Sequence, residues 1–138
     1  MTGATTRFGF TKLVVADLDA SASFYTSAFG LQEQQRVHAE IAGRPIDEII
    51  FSGGDPAAST FVLLRFADQA TPSQAEVILG FITDGIDVLF RQVVAAGGAV
   101  VQAVETQPQH GVRVGFVTDP EGHLIEVVEV LTAHGEQV

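Results

Sequence analysis

Neither cysteine nor tryptophan occurs among the 138 residues, and lysine occurs once, as Lys12. The missing cysteine excludes a disulfide framework, a thiolate metal site and a thiol nucleophile together, so redox chemistry gives no indication of compartment. Cations are scarce: the six arginines are scattered along the chain and the net charge is -10. With no basic patch to meet a phosphate backbone, nucleic acid is excluded as a partner. The acidity reads as solubilising charge, with attraction of a cationic ligand as the sharper alternative. No apolar run approaches the roughly 18 residues that a membrane span needs, and Met1 to Arg7 lacks the basic-then-apolar pattern of a leader. The expectation is a soluble, cytoplasmic protein without a membrane partner. With 46% hydrophobic and 17% charged residues, the chain is rich enough in apolar side chains for one cored domain over residues 1–138.

The chain repeats itself. An offset of 67 positions aligns Asp17 with Asp84, Ala28 with Ala95 and Gly30 with Gly97, close to half the length and therefore the mark of an internal duplication. In the first copy, residues 8–66, Phe8 to Val15 reads as a strand and Asp17 as a helix N-cap. Leu18, Ser21, Ala22, Tyr25, Ala28 and Phe29 form a buried stripe, and Gly30 is the helix-ending residue. Three strand-like runs follow at 31–41, 46–51 and 60–66, parted by Gly43-Arg44-Pro45 and by a Gly53-Gly54 loop. No helix follows that loop, so it is a connector and not a phosphate cradle. The second copy, residues 77–131, repeats the order: a strand over 77–83, a helix carrying Ile86, Leu89, Phe90, Val93 and Val94, then strands over 99–105, 112–117 and 124–131. A linker with Pro72 joins the copies. The fold class is α+β, with two tandem βαβββ modules forming a curved mixed sheet around a cleft.

One carboxylate stands out. Asp119-Pro120-Glu121-Gly122 supplies the fixed φ and the permissive glycine of a reversal, and the strand after it is apolar except for its glutamates. Glu126 shares strand parity with Leu124, whereas His123, three residues before it, points to the other face. A carboxylate placed among apolar neighbours must be paired, protonated or metal-bound, because an unpaired buried charge costs several kcal/mol.

Val15-Ala16-Asp17-Leu18 with Phe24-Tyr25-Thr26-Ser27-Ala28-Phe29-Gly30, and Phe116-Val117-Thr118-Asp119-Pro120-Glu121-Gly122 with Ile125-Glu126, resemble the vicinal oxygen chelate superfamily over nearly the whole chain. That superfamily includes glyoxalases, bleomycin-resistance proteins and extradiol dioxygenases. The resemblance implies one metal ligand on the first and one on the last strand of each module, usually His, Gln or Glu. The four positions here are Phe10, Leu64, Ile78 and Glu126. Three of these side chains have no lone pair, and a single carboxylate does not hold a catalytic divalent ion, so neither metal nor cofactor is expected. A shift of one residue would substitute Thr11, Leu63 or Arg65, and Val77 or Leu79, which does not restore a ligand set.

Three roles for Glu126 stay open: a relic that is hydrogen-bonded or paired with Lys12, which shares the parity of Phe10; a group that orients a ligand; or a general base with its pKa raised among Phe10, Leu64 and Ile78. The ligand-binding cleft is expected to include Phe10, Lys12, Leu64, Ile78, His110 and Glu126, with Glu126 as the catalytic residue if there is chemistry. His110 is included because it lies in a loop at one end of the cleft. His38, His123 and His134 read as structural or exposed, Arg65 and Arg113 as outward-facing, and Phe24 and Tyr25 as core. The functional expectation is a metal-independent, bleomycin-resistance-like protein that binds a small apolar or cationic molecule between its modules. The alternatives are a metal-free isomerase or lyase using Glu126 and a divalent-metal glyoxalase or dioxygenase. The resemblance also implies a homodimer.

Overall fold

The computed structural model describes Phe8 and residues 10–41, 43–52, 60–68 and 77–131. The Gly53-Gly54 loop, Pro72 in the linker and His134 lie outside the described residues. The elements are β1 (Phe10–Val14), α1 (Leu18–Phe29), β2 (Gln32–Ile41), β3 (Arg44–Ser52), β4 (Thr60–Phe66), β5 (Ile78–Thr83), α2 (Ile86–Ala95), β6 (Ala99–Gln107), β7 (Val112–Thr118) and β8 (Leu124–Val130). The βαβββ order is present twice, and the eight strands divide between two four-stranded sheets, β1-β4-β3-β2 and β5-β8-β7-β6. In each sheet the first strand pairs parallel to the last and the remaining pairings are antiparallel.

Local chemistry sets the helix ends. Asp17 is extended and its side chain accepts the Ala20 N–H at 3.0 Å, while Gly30 closes α1 at φ 70°, the left-handed region open to glycine. The second helix starts differently: its N-cap is Gly85, one residue after Asp84, and no side chain of its own caps it. The two strand-to-helix junctions therefore superpose with an offset of 68, not 67. In the absence of a local cap, the Ile86 N–H donates to Glu129 Oε1 at 2.8 Å, a fully buried carboxylate delivered by β8. Arg113 Nη1 lies 3.9 Å from the other oxygen and also pairs with Asp87. Val94, expected in the buried stripe, is exposed, because Ile86, Leu89, Phe90 and Val93 already complete the face of α2 that meets the sheet.

One face of each sheet packs on the helices. Leu13, Ile49, Phe51 and Leu63 of the first sheet and Leu79, Val117, Ile125 and Val127 of the second share a single core with Phe24, Tyr25, Ala28, Phe90 and Val93. The two sheets meet through α1 and α2, not strand against strand. Phe29 of α1 stacks on Phe81 of β5 with ring centroids 4.1 Å apart. A second close approach is at Gly98, where a Cβ would lie 2.5 Å from the Thr118 carbonyl oxygen and 3.0 Å from the Phe24 ring.

Candidate functional site

Strand parity assigns every other residue to a face that, among the described residues, carries no helix. On the first sheet this face carries Phe10, Lys12 and Val14 of β1, Val62, Leu64 and Phe66 of β4, and Ile46, Glu48 and Ile50 of β3. On the second it carries Ile78, Gly80 and Ile82 of β5, Leu124, Glu126 and Val128 of β8, and Val114 and Phe116 of β7. Both faces are apolar and partly open: Phe10 is 57%, Ile78 60% and Ile82 79% exposed. A recess of about 490 Å³ at the end of the second face is lined by Ile82, Thr83, Asp84 and Val130.

Phe10, Lys12, Leu64, Ile78 and Glu126 all lie on these helix-free faces, three on the first sheet and two on the second. Glu126 is half-buried between Gly80 and Phe116, its cross-strand neighbours, and no hydrogen bond or ion pair holds its carboxylate among the described residues. Lys12 does not pair with it. The ammonium instead lies 2.5 Å from Glu48 Oε2, because Glu48 is on the neighbouring row of the same sheet whereas Glu126 is on the other sheet. His110 is exposed in the 3₁₀ turn Pro108–His110, at the end of the sheet where Val112 pairs with Val130, and so stands apart from the Phe116–Glu126 pair. Arg65 and Arg113 lie on the helix-side faces, where Arg65 is 4.0 Å from Asp47 and Arg113 pairs with Asp87 and Glu129. His38 is exposed and 2.7 Å from Asp47.

Register also refines the ligand positions. Ile78 pairs with Leu124 and Gly80 with Glu126; in the first sheet Phe10 pairs with Thr60 and Lys12 with Val62. The counterpart of Glu126 is thus Val62, and Leu64 lies one pair further on beside Val14. The chemistry of the donor set is unchanged: Phe10, Val62 and Ile78 offer no lone pair. Among the described residues no group of three or more His, Asp or Glu side chains could hold a metal ion. The four positions do not fit a divalent ion that needs three or more protein ligands.

The Asp119-to-His123 turn has a different use. Asp119 Oδ1 accepts the backbone N–H groups of Glu121 and His123, both at 2.9 Å; Oδ2 accepts the Tyr25 hydroxyl at 2.8 Å and lies 2.7 Å from His123 Nδ1. Burial alone would raise the Asp119 pKa, but the hydrogen bonds from His123 and Tyr25 hold it below the ordinary carboxylate value. The bond to Asp119 raises the pKa of His123, while burial and then the Asp119 charge raise that of Tyr25. Glu121 completes the joint: its carboxylate accepts the N–H groups of Ala16 and Asp17 at 2.9 and 2.8 Å, at the entry to α1. The residues that looked like a hairpin leading to Glu126 therefore bolt the second sheet to the first helix. Tyr25 and Phe24 are core as expected, and His123, only 2% exposed, is structural.

A larger cavity of about 540 Å³ lies beside the N-terminus of α1, lined among others by Asp19, Arg36, His38, Asp47 and Arg65. Both arginines have carboxylate partners: Arg36 bonds Asp19 and Glu33, and Arg65 lies 4.0 Å from Asp47, whose carboxylate also meets His38. It is a lattice of surface ion pairs.

Comparison with known proteins agrees with this architecture. Residues 7–127 match the model of the Glyoxalase/Bleomycin resistance protein/Dioxygenase superfamily, and the chain belongs to that family. A relative from Vibrio parahaemolyticus named "Probable lactoylglutathione lyase" is 30% identical over 130 residues, covering 86% of this chain and 87% of the relative. One of the same name from Vibrio cholerae is 29% identical over 133 residues, covering 90% and 91%. The crystal structure of a glyoxalase family protein from Bacillus cereus superposes with a TM-score of 0.80 at 21% identity, covering 94% of this chain and 97% of that one. No helix among the described residues is long and apolar enough to cross a membrane.

Proposed function

We propose that this chain is a metal-independent member of its family that binds a small apolar or cationic molecule on the helix-free faces, with a second copy of the chain completing the cleft as a homodimer. The observation that carries the reading is the donor set: Phe10, Val62 and Ile78 stand where metal ligands would have to be, and Glu126 alone offers oxygen. Among the described residues the sheets meet through their helices and Phe10, Ile78 and Ile82 stay exposed, which gives a second copy an apolar surface to cover. Glu126, half-buried and without a partner among the described residues, supplies the polar contact: it accepts a hydrogen bond from the ligand or draws in a positive charge. Metal analysis of the purified protein, paired with thermal shift against divalent ions, tests the reading. No stoichiometric ion and no shift are expected; about one tightly held ion per chain would overturn it. Light scattering tests the second copy, and a 14.6 kDa species alone would dispose of the dimer.

The name borne by the two Vibrio relatives favours one further reading, a metal-free lyase or isomerase in which Glu126 moves a proton as general base. Lyase activity abolished by Glu126→Gln, with ligand binding kept, would select it over a binding protein.

A further inference from the structure

We infer that Lys12, held in place by Glu48, is an anion-recognition point on the first helix-free face, and that the ligand carries a carboxylate on an apolar or aromatic body. The inference rests on the proposal that these faces bind a small, largely apolar molecule, and it adds an acidic group at the first face, apart from the hydrogen-bond donor or positive charge that Glu126 would meet at the second. The surroundings of the pair are apolar: Val62 and Leu64 on β4, Ile46 and Ile50 on β3 and Val14 on β1 share the face. Glu48 is only 8% exposed there, and its Oε2 has the Lys12 ammonium as ion-pair partner but no well-aligned hydrogen bond. Burying a carboxylate and an ammonium costs more than their attraction readily returns, and an apolar pair of similar volume is often no worse for stability. Stability alone is thus a weak reason for the pair.

Geometry supplies a better one. The Glu48 carboxylate lies deep and the Lys12 side chain, 32% exposed, lies above it, so the pair presents its positive end outward. Besides Glu48 and the Phe10 ring, 5.6 Å away, nothing among the described residues contacts the ammonium, which leaves donors for an arriving acceptor. The Phe10 ring beside it is open enough to stack on an apolar body. On the second sheet the counterpart of Lys12 is Gly80, which has no side chain, and the charge there is the carboxylate of Glu126. The first face therefore exposes an ammonium above its own buried counter-ion, whereas the second offers a carboxylate, and an acid belongs on the first.

Three probes with one body test this: 3-phenylpropionate, its neutral amide and 3-phenylpropylammonium, titrated into the full chain by ligand-observed NMR. The acid is expected to bind at least about tenfold more tightly than the amide, the size of one charge-assisted contact. Lys12→Met should abolish the preference for the acid, weakening the acid by about tenfold and the amide by less, and Lys12→Arg should restore most of the difference. Glu48→Gln should weaken the acid as well, since Lys12 loses its anchor; tighter binding of the acid in that variant would overturn the positioning role of Glu48. Acid and amide binding equally, with Lys12→Met indifferent, would sink the anion site while leaving the proposed function in place. If none of the three probes binds, the failure lies with the binding reading itself.

Discussion

Replacing Asp119 by alanine removes the acceptor of four hydrogen bonds and leaves two buried donors, the Tyr25 hydroxyl and His123, without their partner. Breaking a buried charge pair from one side costs about 3–5 kcal/mol. At about 2.1 cal/mol/K of unfolding entropy per residue, a chain of 138 residues loses roughly 3.5 °C of Tm per kcal/mol, so Asp119→Ala should melt about 10–17 °C below the wild type. Calorimetry across a pH series adds a second signature. The pKa of His123 is raised in the fold, so its share of the stability is complete below the unfolded value of about 6.5 and is lost as pH rises through the folded value. That of Asp119 is lowered, so its share is present above about 3.9 and disappears as pH falls through the folded value. The deficit of the variant should therefore be greatest near pH 5–6 and shrink in alkali as His123 gives up its proton. A loss under about 3 °C, or a deficit that stays constant from about pH 5 to 9, would refute the coupled pair.

Two further substitutions probe the same joint. Gly98→Ala sets a Cβ 2.5 Å from the Thr118 carbonyl oxygen and 2.6 Å from Val93 Cγ1, and should lower the denaturant midpoint by an amount equivalent to about 1–3 kcal/mol. Glu121→Ala strips the acceptor from the Ala16 and Asp17 N–H groups and should cost about 0.5–2 kcal/mol, read as faster amide exchange at the start of α1.

Local signals in the chain carried much of this architecture. Asp17 and Gly30 bracket α1 as cap chemistry dictates, and burial along β8 alternates with the period of two, whereas β4, packed on both faces, buries Val62, Leu63 and Leu64 in a row. Parity likewise put Phe10 and Lys12 on one face and separated His123 from Glu126. Legibility ended where partners are distant in sequence. Nothing near Glu121 says that its carboxylate reaches Ala16, and nothing near Glu48 says that it lies beside Lys12. Shared parity with Phe10 makes Lys12 one possible partner for Glu126, yet only strand pairing reveals that the two belong to different sheets. Leu64 missed the counterpart of Glu126 by one pair for the same reason, since register depends on how β1 lies against β4. Asp84 looked like Asp17 but cannot cap α2, because that helix starts one residue later relative to the repeat and takes its carboxylate from β8.

No backbone ladder joins the two sheets, since β1 through β4 complete one set and β5 through β8 another; what crosses is side-chain packing and the Glu121 carboxylate on the Ala16 and Asp17 N–H groups. Each half can thus build its own strand ladders before the other exists, but the Ala16 and Asp17 N–H groups lack their acceptor until the halves dock. During synthesis the first half emerges with the Tyr25 hydroxyl unbonded and the Phe29 ring uncovered. Both must wait for Asp119 and Phe81, and until then they form a sticky surface that a neighbouring chain's second half could occupy as readily as its own.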